Sequence, residues 1–519
     1  MPKRSLVLLS RSVFTGLDDH PMDGFVAIHG NRIEAVGPAA DSGPFVESAD
    51  EVRDMGTRTI MAGLVDVHTF FTGWVLRRTG ADLSAASTPA DAADALLAWT
   101  VAHEGAPVAL GRNLPECLLG ADLDRALDQV FTAMPAVAFT EGAETCALNA
   151  AAGERYGFTP DACYAEMIWR LMADYLPLDE VREAYGDYMR MLNSRGVTAI
   201  KEMCFDDYYG FADEMARREV AGDLTVRVDM MSQPVGRAAD LAYARTARDR
   251  FQGPFVRFSG FNRMTDRGLW RGLAEMIEPY EEGADAGAAG KTVVEEPEWD
   301  LIARELAEVD AEGFRYSLHC QGDGAVRKTV ALYRDLPRDE RGRLARRHSI
   351  TDLENSDPAD LEAFGSIGGI CEVYPQILTL DAREDCLSTM RRQIGETRLE
   401  HSWNRRGMVD AACIVCCGTD LPLLTPHLGD SIYSACGGYF ADGLPVNQGN
   451  TLTLAELLRA WTLGGAYDLE REDELGTLEP GKLADVCVLD ADAFSVDPRD
   501  ARSLGVALTV SDGRIVYES

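Results

Sequence analysis

Apolar and polar residues alternate at both ends of the chain. SLVLLS, GFVAIHGNRIEAVG and TRTIMAG near the start place apolar side chains at about every second position, the period of a half-buried strand. ADVCVLD and GVALTVSDGRIVYES repeat the pattern near the other end. Gly30-Asn31 and Asp512-Gly513 fall inside such stretches and signal hairpin turns. Chain ends commonly lie close together, so residues 1–60 and 466–519 are expected to build one β-sandwich domain.

Between the ends the pattern changes. Eight short apolar runs (LVDVHTF, GVTAIKEM, VRVDMMS, FVRFSG, RYSLHC, ARRHSI, GICEVYP and CIVCCGTD) are each followed by helical periodicity or loop. Eight strand-plus-helix units predict an α/β fold, a (β/α)₈ TIM-type barrel over residues 61–465, with its chemistry at the carboxyl ends of the strands. Residues 72–190 form a long insertion after the first barrel strand, placed to cover the active-site mouth. Residues 281–298 read as a mobile polar loop.

Polar residues at the strand ends change the picture from fold to function. His68, His319, His348 and Asp420 close the first, fifth, sixth and eighth runs. One such histidine is usually a hydrogen-bonded core residue. Three of the chain's eight, with an aspartate, form a candidate metal site at one barrel mouth. His20, His29, His103 and His401 lack that placement; His427, after the Asp420 loop, is the one to watch.

Composition narrows the partners. The chain has 519 residues and a formal net charge of −35. Such a surface repels nucleic acid and anionic membranes, and no run approaches the roughly 20 apolar residues of a membrane span. Twelve cysteines, several in apolar runs, read as reduced and cytoplasmic. The expected partner is a small-molecule substrate, with a homodimer as an open alternative to a monomer.

The chain resembles the amidohydrolase superfamily, and within it amidohydrolase family 3, the group that includes N-substituted formamide deformylase. MAGLVDVHTFF resembles that family's Pro-Gly-Phe-Ile-Asp-x-His-x-His, RYSLHCQGDGAV its Val-His-Ala-x-Gly-Asp-x-Ala-Val, and RRHSITD its Arg-x-Glu-His. CGTDLPLLTPHLGDSIYSA resembles its Gly-Ser-Asp-x-Pro segment, and ELGTLEPGKLADVCVLD its closing stretch. The resemblance implies metal-dependent hydrolysis of a non-peptide C–N bond (amide, formamide or cyclic amide), with Asp420 shuttling a proton from metal-bound water to the leaving amine.

The departures are specific. Phe70 replaces the second His of the first motif, Arg257 is matched to the lysine that bridges two metals, and Ala143 stands where the insertion has a Gly-His pair. Arginine cannot be carboxylated and does not ligate a cation. At most one divalent ion is therefore expected, zinc suiting His319, His348 and either Cys204 or His68, with Glu202 a weaker ligand. Cys204 reads equally as a small buried residue. Arg257 and Lys201 could bind a substrate carboxylate or carbonyl, or form ion pairs with Glu202, Asp206 or Asp207. The alternative reading is a metal-free barrel, either inactive or a lyase or isomerase using Lys201 and Arg257.

Overall fold

In the computed structural model the described residues are 5–140, 145–157, 171, 178–204, 210–234, 238–285 and 287–519. Ala143, Asp206 and Asp207 lie outside them. Strands β1 (Ser5–Val13), β2 (Met22–His29), β3 (Arg32–Pro38), β4 (Glu51–Asp54) and β5 (Thr59–Ala62) come from the start of the chain. Next is β6 (Leu64–Thr69), then β7 (Ala81–Asp82), β8 (Ala109–Leu114), β9 (Ala136–Thr140) and β10 (Cys146–Leu148). The strands β11 (Val197–Cys204), β12 (Arg227–Ser232), β13 (Val256–Met264), β14 (Arg315–His319), β15 (Ser349–Thr351), β16 (Ile370–Val373) and β17 (Ile414–Cys417) follow, and β18 (Val486–Leu489), β19 (Val506–Ser511) and β20 (Arg514–Glu518) end the chain.

Both ends enter one sheet, ordered β20-β19-β18-β5-β1-β2-β3, with β4 also on β1. The alternation explains it: Leu6, Leu8, Val26, Ile28, Val486, Val488 and Val510 share one buried cluster. Arg227, at the start of a barrel strand, is buried and donates to Asp485 at 2.9 Å and Asp512 at 3.0 Å, tying this sheet to the barrel.

β6 and β11 through β17 form an eight-stranded parallel sheet in chain order. The bridge Thr69↔Leu421, just beyond β17, brings its last strand back to its first. This is the TIM-type barrel. The eight expected runs each overlap one of its strands. The stretch after β6 folds as its own small sheet, β10-β9-β8-β7, against the helices Pro89–Ala102 and Ala121–Val130. Thr88 and Asp91 cap the first of these reciprocally, with Pro89 at its first position. The polar segment 281–298 is held where it is described: Asp285 accepts from Arg392 at 2.5 Å and from Gln393 at 3.0 Å on the helix Arg383–Leu399. Among the described residues no helix is long and apolar enough to cross a membrane.

Candidate active site

A cavity of about 650 Å³ opens at the carboxyl ends of the barrel strands, lined among others by His68, Asn262, His319, Asp352, Tyr374 and Asp420. Each comes from a different strand or the turn just after it. Alternation along the strands decides which side chains reach this space. On β14, Ser317 points inward and donates to Glu372 of β16 at 3.0 Å, and His319 follows it into the cavity. Tyr316 points outward and donates to Glu305 on the helix Trp299–Ala311 at 2.6 Å.

On β15, Ser349 and Thr351 are the inward residues, facing Glu372 and His68. His348, of opposite parity, is turned to the helix layer. The alternation breaks only after the strand, where Asp352 has φ 57° and swings into the mouth; Asp420, after β17, has φ 50°. The left-handed region costs an L residue on the order of 1 kcal/mol, least for Asp and Asn. Two aspartates at such positions on one cavity fit the pattern of backbone strain gathered at functional sites.

Two carboxylate–imidazole pairs stand at the cavity floor. His319 Nε2 is 2.8 Å from Asp352 Oδ2, and Gln321 donates to the same oxygen at 2.6 Å. Asp266 Oδ1 is 3.7 Å from His319 Nδ1. Burial alone would lower the His319 pKa, but Asp352, Asp266 and Asp420 override it and push it up to about 9. Burial would likewise raise Asp352, yet His319 holds it below the usual carboxylate range. In the second pair His68 Nε2 is 3.7 Å from Asp420 Oδ1. Burial raises the Asp420 pKa, opposed by His68. Glu354 is pushed up to about 8 by burial and the neighbouring charge of Asp352. Phe70 and Tyr374 flank His68 at 5.3 and 5.7 Å between ring centroids, and Trp270, Trp403 and Phe440 add aromatic wall.

The structure brings His68, His319 and Asp420 together and corrects the other expectations. His348 is fully buried away from the cavity. Its Nδ1 accepts from the Tyr316 N–H at 3.0 Å, its Nε2 is 3.0 Å from Asp310, and its ring stacks on Tyr333 at 5.4 Å. Both nitrogens are used, so it is no ligand. The motif register shifts by four residues: Asp352 holds the strand-end position given to His348.

Cys204 and Glu202, of equal parity on β11, turn to the helix layer. Cys204 is buried with its Sγ 3.6 Å from the Glu202 carbonyl. Glu202 accepts from the Phe71 N–H at 2.6 Å, from Thr69 at 2.8 Å and from Tyr188 at 3.3 Å. Lys201 points inward but is sealed below the cavity, donating to Glu372 at 2.5 Å and 2.7 Å from Asp468. Arg257, second residue of β13, pairs with Glu474 at 3.3 Å at the opposite end of the strand from the cavity. β13 runs on to Met264, and its polar cavity residue is Asn262, which donates to Gln233 at 2.6 Å, with Met264 beside it in the lining. An amide cannot be carboxylated either, so the loss of the bridging lysine stands. His427 caps a short helix, accepting from the Asp430 N–H at 3.1 Å.

The donor set tests whether a resident metal fits. Among the described residues no three or more His, Cys, Asp or Glu side chains form a group that could hold an ion. His319 is bonded through Nε2 to Asp352, and its buried Nδ1 has no hydrogen-bond partner among the described residues. His68 and Asp420 stand beside each other and open to the cavity, which Asp352 and Glu354 also line. As these side chains are turned, no three of them meet at one point among the described residues.

The amidohydrolase family profile matches residues 51–517, nine-tenths of the sequence. The chain belongs to the amidohydrolase family. It is 23% identical over 274 residues to YtcJ of Bacillus subtilis, a protein named for amidohydrolases, and 32% identical over 113 residues to N-substituted formamide deformylase of Arthrobacter pascens. These matches span 52% and 22% of this chain and only 49% and 21% of those proteins. Among solved structures, a metal-dependent hydrolase from Pyrococcus horikoshii superposes with a TM-score of 0.75 at 17% identity, covering 95% of this chain and 99% of that one. Atrazine chlorohydrolase from Arthrobacter aurescens, solved with zinc, gives 0.55 at 15% identity over 99% and 95%. Structural likeness at these identities shows the shared fold alone.

Proposed function

We propose that the chain hydrolyses an amide-like C–N bond of a small molecule in the cavity at the barrel mouth. The observation that carries the reading is the convergence there of the half-buried Asp420 and of the His319–Asp352 ion pair, at the strand ends where this fold places its chemistry. The family and the formamide deformylase likeness point to the bond type.

In this reading the substrate carbonyl oxygen lies toward His319. Its positive charge, held by Asp352, favours the negative charge that develops when the carbonyl carbon becomes tetrahedral. Asp420 takes a proton from water as its oxygen bonds to that carbon, then gives the proton to the nitrogen as the C–N bond breaks. The products are a carboxylic acid and an amine. A raised carboxyl pKa makes Asp420 a stronger base while it remains ionised. No step is routed through a metal. The lyase or isomerase alternative loses its support, because Lys201 and Arg257 are engaged away from the cavity.

The experiment is a panel of N-substituted formamides, linear amides and cyclic amides assayed for released amine or ring-opened acid. The His319→Gln variant serves as the matched control, since it keeps size and loses the charge. Turnover by the wild type that the variant lacks supports the reading; a panel turned over equally by both removes His319 from it.

A further inference from the structure

Beneath the cavity floor lies a carboxylate that the reaction above does not use. Glu372 is fully buried inside the barrel. Its Oε1 accepts from Lys201 at 2.5 Å, from Ser317 at 3.0 Å and from Ser349. Its Oε2 is buried without a hydrogen bond and stands 3.6 Å from His68 Nδ1. Thr351 Oγ1 also lies beside that nitrogen, at 3.2 Å, and can accept a hydrogen bond as readily as give one. His68 Nε2 faces the other way, toward Asp420.

We infer that Glu372 is a positioning residue that fixes the tautomer of His68: it keeps the ring proton on Nδ1 and presents a bare Nε2 to Asp420 and the cavity. Three donors on one oxygen, one of them an ammonium, anchor the carboxylate, so its free oxygen stays aimed at the ring. Asp420 stands at a similar distance from Nε2, 3.7 Å, but its side chain is 30% exposed and screened by solvent, whereas Glu372 at 3.6 Å from Nδ1 is fully buried, so the near nitrogen feels the stronger field. Thr351 then accepts the Nδ1–H. The imidazole lies between two carboxylates, and a carboxylate beside Nδ1 is the device that sets the histidine tautomer in hydrolytic triads. Nε2 can then accept a proton from Asp420, or from a water between them, and return it when the leaving nitrogen needs it. That catalytic consequence rests on the reading above; the tautomer does not.

The test is two-bond ¹⁵N–¹H correlation of protein labelled in histidine, near pH 7.5, with His68 assigned by the loss of its signals in His68→Gln. The wild type is expected to show the Nδ1–H form. Glu372→Gln should move the proton toward Nε2. Thr351→Val, which removes the hydroxyl and keeps the carboxylate, should leave it on Nδ1. On any amide found to turn over, Glu372→Gln should lower kcat by a factor between ~10 and ~10⁴ with KM little changed, the range seen when a histidine's orienting partner is lost.

Wild-type His68 in the Nε2–H form overturns the inference, with no variant required. So does a Glu372→Gln protein that keeps Nδ1–H, or a Thr351→Val protein that loses it. If the tautomers behave as expected but no amide is hydrolysed, the proposed function falls and the positioning of His68 stands.

Discussion

Replacing Lys201 with Met removes the cation at the centre of a sealed network. The ammonium lies 2.5 Å from Glu372 and 2.7 Å from Asp468, and all three side chains are fully buried. At an effective dielectric of about 20, each pair is worth roughly 6 kcal/mol of attraction, against several kcal/mol to desolvate the ammonium. Methionine fills most of the volume but leaves two buried carboxylates short of a counter-ion. Arg315 still donates to Asp468, and two serines still donate to Glu372. Loss of one partner from a buried pair costs about 3–5 kcal/mol. Urea unfolding of Lys201→Met, beside Arg257→Met as the reference, measures it. The half-exposed Arg257–Glu474 pair should be worth less than about 1 kcal/mol. If the two variants unfold within about 1 kcal/mol of each other, Lys201 is not the buried keystone described, and a substrate role for it reopens.

Three further expectations follow from the same geometry. The folded His319 pKa, about 9, lies above the unfolded value of about 6.5, so its stabilisation is complete below 6.5 and is lost as pH rises through 9; an NMR titration placing its midpoint below 7 would contradict this. His348→Phe keeps the stack on Tyr333 but strands the Tyr316 N–H and Asp310, and should cost about 1–3 kcal/mol while leaving the kinetics intact; a selective loss of kcat would return His348 to the site. Elemental analysis of protein purified without added metal should find substoichiometric zinc, iron and manganese, and one full equivalent of any of them would show that the His68 and Asp420 donors recruit an ion.

Much of the fold was legible in the chain, because its signals are local. Alternation such as Leu6, Leu8, Val26 and Ile28 marks strands whatever their partners are, and the eight apolar runs mark the barrel. The site was legible only in part. His68, His319 and Asp420 stand at strand ends that the sequence marks. His348 misled because the sequence does not say where β15 ends. Four residues on, Asp352 reaches the mouth through a left-handed turn that breaks the alternation, and aspartate at such a turn leaves no periodic signal. Arg257 misled for a related reason: β13 continues to Met264, so the mouth residue is Asn262. The one available signal was parity, since His348 precedes two small inward residues, Ser349 and Thr351. Glu372 could not have been found from the chain alone, because its meaning depends on Lys201 and His68, 171 residues and 304 residues away.

The central claim, that Asp420 moves the proton in C–N hydrolysis at the barrel mouth, is tested most directly by kcat for Asp420→Asn on the best amide substrate of the panel. Asparagine nearly matches the size and tolerates the left-handed turn at φ 50°, but it cannot accept the proton. The account predicts a fall of about 10²–10⁴-fold in kcat with the fold intact by thermal melting. A variant with near-wild-type kcat would contradict it.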